Sequence, residues 1–187
     1  MTRIIAGTAG GRRIDAPDGR TTRPTSDRAR EALFSSAQSD LGTLHGARVL
    51  DLYAGSGAIG LEALSRGAEH ALLVEADRKA AATVRANAKA LRMPAARLVV
   101  DRVERVLASA PDAPYDLVVA DPPYPVGEEE LAGVLRSLVD QGWLAEDAVV
   151  VLERSKRSPE PTWPDGLERD RSRTYGEAVL WYARPTP

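Results

Sequence analysis

The chain has no cysteine and only two histidines, His45 and His70, among its 187 residues. Without cysteine there can be no disulfide, no thiolate metal site and no cysteine nucleophile. Both histidines fall outside the glycine-rich and proline-rich loops that carry the candidate site, so no metal is expected. No run approaches the roughly 20 apolar residues of a membrane span. The opening MTRIIAGTAGGRRIDAP also lacks the apolar stretch of roughly 7–15 residues that marks a signal peptide. The expectation is a soluble cytoplasmic chain with no membrane partner. Internal repeats and low-complexity tracts are missing too. At about 150 residues per domain, the length suggests one domain with a short appendage. A hydrophobic content of 43% is enough for a core without staples.

The net charge is −2, which alone argues against a polyanionic partner. Its distribution argues the other way. Residues 1–30 hold seven arginines and three acids, giving +4 and leaving −6 for the rest of the chain. A basic head on an acidic body calls for a partner. Arginine suits bidentate phosphate contacts and stacking on bases.

Within that head, Arg3–Ala6 and Arg12–Asp15 are β-prone and flank Gly7, Gly10 and Gly11. This pattern predicts a mobile hairpin over residues 1–24, ahead of a main domain over 25–187. Thr25, Ser26 and Asp27 are helix caps, and Ala29, Leu33, Phe34 and Ala37 line one face of the helix that follows. Strands and helices alternate from there. Strands are expected at 49–53, 71–75, 98–100, 117–120, 148–152 and 178–182. Helices are expected at 59–66, after Asp77 with Ala81, Val84, Ala88 and Leu91 inward, and around Leu131–Leu138. Residues 155–176 show no helical pattern, so the last two strands should form an antiparallel pair. Continuously apolar strands separated by helices mean a parallel sheet covered on both faces, a Rossmann-like doubly wound α/β fold. Its ligands sit where the strands end, after Tyr53, Glu75, Val100 and Ala120.

Gly55-Ser56-Gly57-Ala58-Ile59-Gly60 matches G-x-G-x-x-G between a strand and a helix, the context of a nucleotide cofactor. The motif alone cannot separate a dinucleotide from S-adenosylmethionine (SAM). Asp51, four residues before Gly55, would repel a pyrophosphate and attract the ammonium of SAM. Glu75 ends the next strand, where a carboxylate can take both ribose hydroxyls. Together they favour SAM. The candidate cofactor residues are Asp51, Tyr53, Ala54, Gly55, Ser56, Gly57, Gly60, Glu75, Ala76, Asp101, Arg102, Val103 and Asp121. Asp77 is expected to cap a helix.

The fourth core strand runs into Asp121-Pro122-Pro123-Tyr124. Two prolines end the sheet and stiffen the loop. A carboxylate, a carbonyl held by proline and an aromatic ring suit methylation of an exocyclic amine on a planar base. The amine lone pair is delocalised, and Asp121 and the Pro122 carbonyl can accept its two N–H bonds and aim it. Tyr124 can stack on a base that has left its helix. These four are the candidate catalytic residues. The alternative is a proline-rich loop with a buried aromatic.

DPPY after a glycine loop of this kind is similar to the signature of SAM-dependent nucleobase amino-methyltransferases. Four further stretches narrow the likeness: Arg3–Gly7, Gly11-Arg12-Arg13, RPTSDRARE at 23–31, and DLYAGSGAIGLEAL at 51–64 with Gly67-Ala68. With them the chain resembles the RsmD-type 16S ribosomal RNA guanine-N2 methyltransferases, which modify guanine 966. The resemblance implies a class I SAM-dependent methyltransferase sheet. Its partner would be 16S rRNA in the 30S subunit or a late assembly intermediate. It also implies that the hairpin and the loop to Pro24 grip RNA, through Arg3, Arg12, Arg13, Arg20, Arg23 and Thr25. At one position the chain departs from the pattern. Relatives place Asp or Asn where Arg102 stands, so the adenine is held either by the backbone of Arg102 and Val103 or by Asp101 shifted one place.

Competing readings are an adenine-N6 methyltransferase on DNA or RNA, a noncatalytic RNA-binding assembly factor and a nicotinamide dehydrogenase. For the DNA enzyme the chain has no spare block for a target-recognition domain. For the pure binder, Asp51, Glu75 and Asp121 together would have no use. Trp143 and Trp181 are expected in the core and Trp163 over the sheet edge. Lys156 and Arg157, just after a core strand, either touch phosphate or form a solvated turn.

Overall fold

The computed structural model describes residues 2–17 and 26–187. Arg20, Arg23, Pro24 and Thr25 lie outside the described residues. Among the described residues fourteen elements follow one another. They are β1 (Thr2–Arg3), β2 (Arg13–Ile14), α1 (Asp27–Leu41), β3 (Arg48–Leu52), α2 (Ala58–Ser65), β4 (His70–Val74), α3 (Arg78–Ala90), β5 (Ala96–Val99), α4 (Val103–Val106), β6 (Tyr115–Ala120), α5 (Glu128–Asp140), β7 (Leu144–Ser155), β8 (Leu167–Tyr175) and β9 (Ala178–Pro185).

Seven strands form one sheet in the order β5-β4-β3-β6-β7-β9-β8. The first five are parallel, while β9 runs antiparallel to both β7 and β8. The central strands β3 and β6 are buried on both faces, as continuous apolar runs require. On one face Leu33, Phe34 and Ala37 of α1 and Ile59 and Ala63 of α2 pack on Val49, Leu117, Val149 and Val151. Val84 of α3 joins Ala71 and Leu73 on the same side. On the other face Val103 of α4 and Leu131, Val134, Leu135 and Leu138 of α5 pack on Leu50, Leu52, Val118 and Val150. Such a doubly wound sheet has helices on both faces and its loops at the strand ends.

The caps fall where their residue types place them. Ser26 accepts the Ala29 N–H at 3.1 Å and opens α1. Asp77 accepts the Ala80 N–H at 2.9 Å and opens α3, so it is a cap. The strand β8 is not anticipated by the sequence. Its segment, LERDRSRTY, is charged and mostly exposed. It is an edge strand, and charge on an edge discourages pairing with other chains. The helix α4 is a single short turn without an amphipathic signal. Of the three tryptophans, Trp143 lies in the core as expected, whereas Trp181, expected there too, and Trp163, expected over the sheet edge, are only partly buried. Trp143 is buried and donates Nε1–H to Ser109 O, while Trp163 and Trp181 pack half-buried on the α5 face.

The head is a hairpin, with Thr2 opposite Ile14 and Arg3 opposite Arg13, but it is seated rather than mobile. Ile4, Ala9 and Ile14 are buried against Leu61 of α2 and Leu91 at the end of α3. The Glu62 carboxylate accepts the Ile5 and Ala6 N–H groups at 2.8 and 3.0 Å. Ser65 Oγ accepts from Ala9 N at 2.9 Å and donates to Ala6 O at 2.6 Å. Gly7, at φ 81°, lies so close to Ser65 that any Cβ would fall 1.9 Å from its carbonyl oxygen. Glycine is therefore obligatory there.

Candidate active site

The pairing of Leu52 with Val74 and with Ala120 puts the ends of β3, β4 and β6 in one row. The residues that follow, at 53, 75 and 121, leave the sheet side by side. This juxtaposition brings the glycine loop, Glu75 and the DPPY loop to a single edge.

Asp51 points toward α2, where the Gly60 N–H donates to its Oδ2 at 3.0 Å. α2 can approach this closely because residue 60 is glycine: a Cβ would meet Leu73 at 2.8 Å. Asp51 is 3% exposed and pairs with no cation among the described residues. Burial pushes its carboxyl up to about 8; the Gly60 bond opposes this and the Glu75 charge adds to it. Glu75 is also buried, which rules out a solvated strand end. Its Oε1 accepts the Gly55 N–H at 2.8 Å and its Oε2 the Asp77 N–H at 2.9 Å. The carboxylate thus holds the glycine loop to the end of β4.

Tyr53 has φ 61°, a left-handed backbone uncommon for a tyrosine. Strict alternation would put its side chain on the same face as Asp51. The turned backbone sends it instead to the α4–α5 face, where it packs half-buried. Its hydroxyl is buried without a hydrogen-bond partner, and burial, with the Glu130 and Glu104 charges, raises its pKa. Ala54 and Ser56 are buried. Gly57, at φ 85°, caps α2 without a side-chain bond, so the first N–H groups of that helix face the loop. Ala76 is exposed between Glu75 and Asp77.

After β5, Asp101 Oδ1 accepts the Arg102 N–H at 2.7 Å. The Arg102 guanidinium is exposed and turns to Glu104, and Val103 is buried at the start of α4. The Arg102 backbone is engaged too: its carbonyl accepts the Arg105 and Val106 N–H groups at 3.1 and 3.2 Å.

In the DPPY loop Asp121 is half-buried, Pro122 buried and Pro123 half-buried, and the Val126 N–H closes a turn on Pro123 O at 2.9 Å. The Tyr124 ring is 88% exposed. A proline-rich loop around a buried aromatic would hide this ring, so that alternative fails.

The head reaches the site through Asn87, a residue the sequence pattern passes over in favour of its neighbour Ala88. Asn87 is 3% exposed. Its Oδ1 accepts the Asp15 N–H, and its Nδ2 donates to Asp15 O and to Ser56 O, each at 2.9 Å. One amide thus ties the exit of β2 to the glycine loop. The signal was present: a polar residue on the apolar stripe Ala80, Val84, Asn87, Leu91 must find buried partners. Asn87→Ala leaves one donor and two acceptors without it, and the expected loss of stability is about 1–3 kcal/mol. Thermal unfolding measures that loss. Proteolysis near Asp15 should accelerate in parallel, and unchanged proteolysis would dissociate Asn87 from the head. The other head arginines are spread out. Arg3 lies 3.9 Å from Asp27, Arg12 donates to Ala90 O at 2.9 Å, and Arg13 is exposed.

Among the described residues no group of three or more acidic or histidine side chains could hold a metal ion. None of the helices described is long and apolar enough to cross a membrane.

The family model described as "Conserved hypothetical protein 95" matches residues 2–184. Ribosomal RNA small subunit methyltransferase D of Escherichia coli K12 is 37% identical over 177 residues, covering 95% of this chain and 86% of that protein. A solved Escherichia coli structure aligns with a TM-score of 0.86 at 34% identity, covering 99% of this chain and 98% of its own. Magnesium protoporphyrin IX methyltransferase of Synechocystis PCC 6803, solved with bound SAM, aligns with a TM-score of 0.62 at 13% identity over 84% of this chain and 79% of that one. This last likeness concerns the fold alone, a class I SAM methyltransferase sheet.

Proposed function

Because the chain belongs to the Conserved hypothetical protein 95 family, that of ribosomal RNA small subunit methyltransferase D, we propose that it methylates the exocyclic N2 of a guanine in 16S rRNA, at the position numbered 966. The chain is a SAM-dependent ribosomal RNA methyltransferase. The substrate form in this proposal is the small subunit or a late assembly particle. The observation that carries the reading is Asp51, a buried carboxylate with no cation of its own among the described residues, at the same sheet edge as the DPPY loop.

The donor set fits SAM. Asp51 faces the place of a ligand cation, Glu75 stands buried at the end of β4 beside the glycine loop where a ribose diol would lie, and the backbone of Arg102 and Val103, or Asp101, borders the adenine. SAM supplies an electrophilic methyl group. Asp121 and the Pro122 carbonyl accept the two N–H bonds of the guanine amine and draw its lone pair out of conjugation. Tyr124 stacks on the extruded base. The seated head presents Arg3, Arg12 and Arg13 to RNA, and Arg20, Arg23 and Thr25 belong to the same proposal.

The test is transfer of labelled methyl from SAM to small subunits lacking the modification, followed by nucleoside analysis. N2-methylguanosine is the expected product. N6-methyladenosine, or no transfer, would overturn the reading.

Asp51 adds a pH dependence. Its folded pKa, near 8, lies above the unfolded value of about 3.9. The neutral carboxyl therefore stabilises the ligand-free protein at low pH, and that stability is lost as pH rises through about 8. A cation prefers the ionised form, so SAM affinity should climb over the same interval. Calorimetry from pH 6 to 9 should show this rise, and Asp51→Asn should flatten it. An equal slope in the variant would clear Asp51 of the effect.

A further inference from the structure

Basic side chains gather at a second place on the ligand edge, beside the end of β7. Because β7 runs parallel to β6, Ser155 ends at the same edge as the DPPY loop. Ala178 starts β9 opposite Ser155, and Tyr175 ends β8 opposite Ala178. The turn Gly176-Glu177 and the link Lys156-Arg157 are therefore neighbours, and the Lys156 N–H donates to Glu177 O at 2.8 Å. Arg28, in the first turn of α1, places its guanidinium 6.0 Å from the centre of the Tyr175 ring. Arg173 lies two residues before Tyr175, on the same face of β8. Arg28, Lys156, Arg157 and Arg173 are all exposed.

The local charges do not cancel. Lys156 pairs with Glu177 at 3.1 Å, but Arg157 and Arg173 pair with no carboxylate among the described residues. Elsewhere on these strands Arg154 is paired with Glu128, Arg169 with Glu160 and Arg171 with Asp40. Among the described residues the other acids nearby are Glu153, half-buried in the row of Arg173, and Asp27, already within reach of Arg3 and Arg30. At Gly176 nothing lies within 4 Å of where a Cβ would stand, so the backbone of the turn tip is open to a partner. The surface is continuous with the head: Arg3 approaches Asp27, and Arg28 follows on the same turn of α1.

We propose that the β8–β9 turn with Arg28, Lys156, Arg157 and Arg173 is a second RNA-binding surface, extending the head's grip around the catalytic loop to the far edge of the sheet. It takes the phosphate backbone of the substrate RNA, with Tyr175 and Arg28 offering a stacking platform. The proposal rests on the rRNA methyltransferase reading. Exposed arginines with no carboxylate partner among the described residues leave a positive patch on a body that is otherwise net negative, and such a patch draws a polyanion to this place.

The test is the full chain carrying Lys156→Ala, Arg157→Ala and Arg173→Ala together, none of which belongs to the cofactor or catalytic set. Binding to small ribosomal subunits lacking the modification is measured across a salt series, beside SAM binding and thermal unfolding. The expected result is at least about tenfold weaker subunit binding and a log–log salt slope shallower by about three, one for each phosphate that the variant no longer neutralises. SAM affinity and melting temperature should stay the same. A control carrying Arg169→Ala and Arg184→Ala, at the opposite end of the same strands, should bind normally. Equal affinity and slope in the triple variant would overturn the proposal, and so would equal weakening in the control. Failure of the wild-type chain to bind subunits at all would instead bring down the rRNA reading itself.

Discussion

Asp121→Ala should lower the rate of methyl transfer about a hundredfold or more while leaving SAM affinity nearly unchanged. The size of the effect follows from the task. In the proposed reaction the guanine amine is a poor nucleophile, and losing one group aimed at the transition state costs about 2.7–4 kcal/mol. Asp121 leaves the sheet directly at the end of β6, beside a proline pair that permits little relaxation toward a substitute acceptor. The Pro122 carbonyl would then act alone. Asp121→Asn keeps one acceptor oxygen and should fall between the two. Single-turnover methyl transfer with saturating SAM measures the loss, and calorimetry measures binding. A well-folded alanine variant with substantial activity would remove Asp121 from the chemistry.

The second large effect concerns stability. Glu62 is fully buried in α2, and its carboxylate meets Arg66 Nε at 2.8 Å, Arg30 Nε at 3.7 Å and the two N–H groups of Ile5 and Ala6. Arg30 is itself fully buried, and its Nη2 also donates to Arg3 O and to Asp27. Burial lowers its pKa, opposed by Glu62 and then Asp27. Glu62→Ala therefore strands a buried guanidinium and two amides in one step. Breaking a buried pair in this way costs about 3–5 kcal/mol. Denaturant unfolding should show that loss, with residues 2–17 cleaved by protease before the sheet unfolds. Glu31→Ala removes the half-exposed partner that Arg66 meets at 2.7 Å and should cost at most about 1 kcal/mol. Similar losses in the two variants would mean that Glu62 is not the anchor. The same contacts mean that deleting the head would expose the Glu62 pair. The RNA role proposed for the head is better tested with point variants of Arg12 and Arg13 than by truncation.

Much of the site was legible from local pattern. Gly55–Gly60 between an apolar strand and a helix, an acid inside the strand before it, and DPPY at the end of another strand each draw their meaning from neighbours a few residues away. What escaped was long-range or masked by composition. The strand β8 alternates charges that suit a solvated edge, so it shows no apolar period to detect. Asn87 was hidden by Ala88, an equally plausible inward residue one position on. The head looked mobile because it is short, polar and rich in glycine. Its three buried apolar residues, Ile4, Ala9 and Ile14, are too dispersed to announce a docking face.

The sequence by itself determined the alternation of elements, the parallel sheet and which loops form the candidate site, because periodicity, caps and prolines act within a few residues. Only the tertiary structure decided how those loops are held. Glu75 closes on Gly55 across 20 positions, Asp15 meets Asn87 across 72, and Ile5 finds Glu62 across 57. Each bond satisfies a buried polar group: Asn87 has only distant partners, while Glu75 and Glu62 each add distant partners to a near one, Asp77 and Arg66. The physical reason is that burial makes every unpaired donor and acceptor costly, and the partner that relieves it is chosen by packing in space rather than by order along the chain.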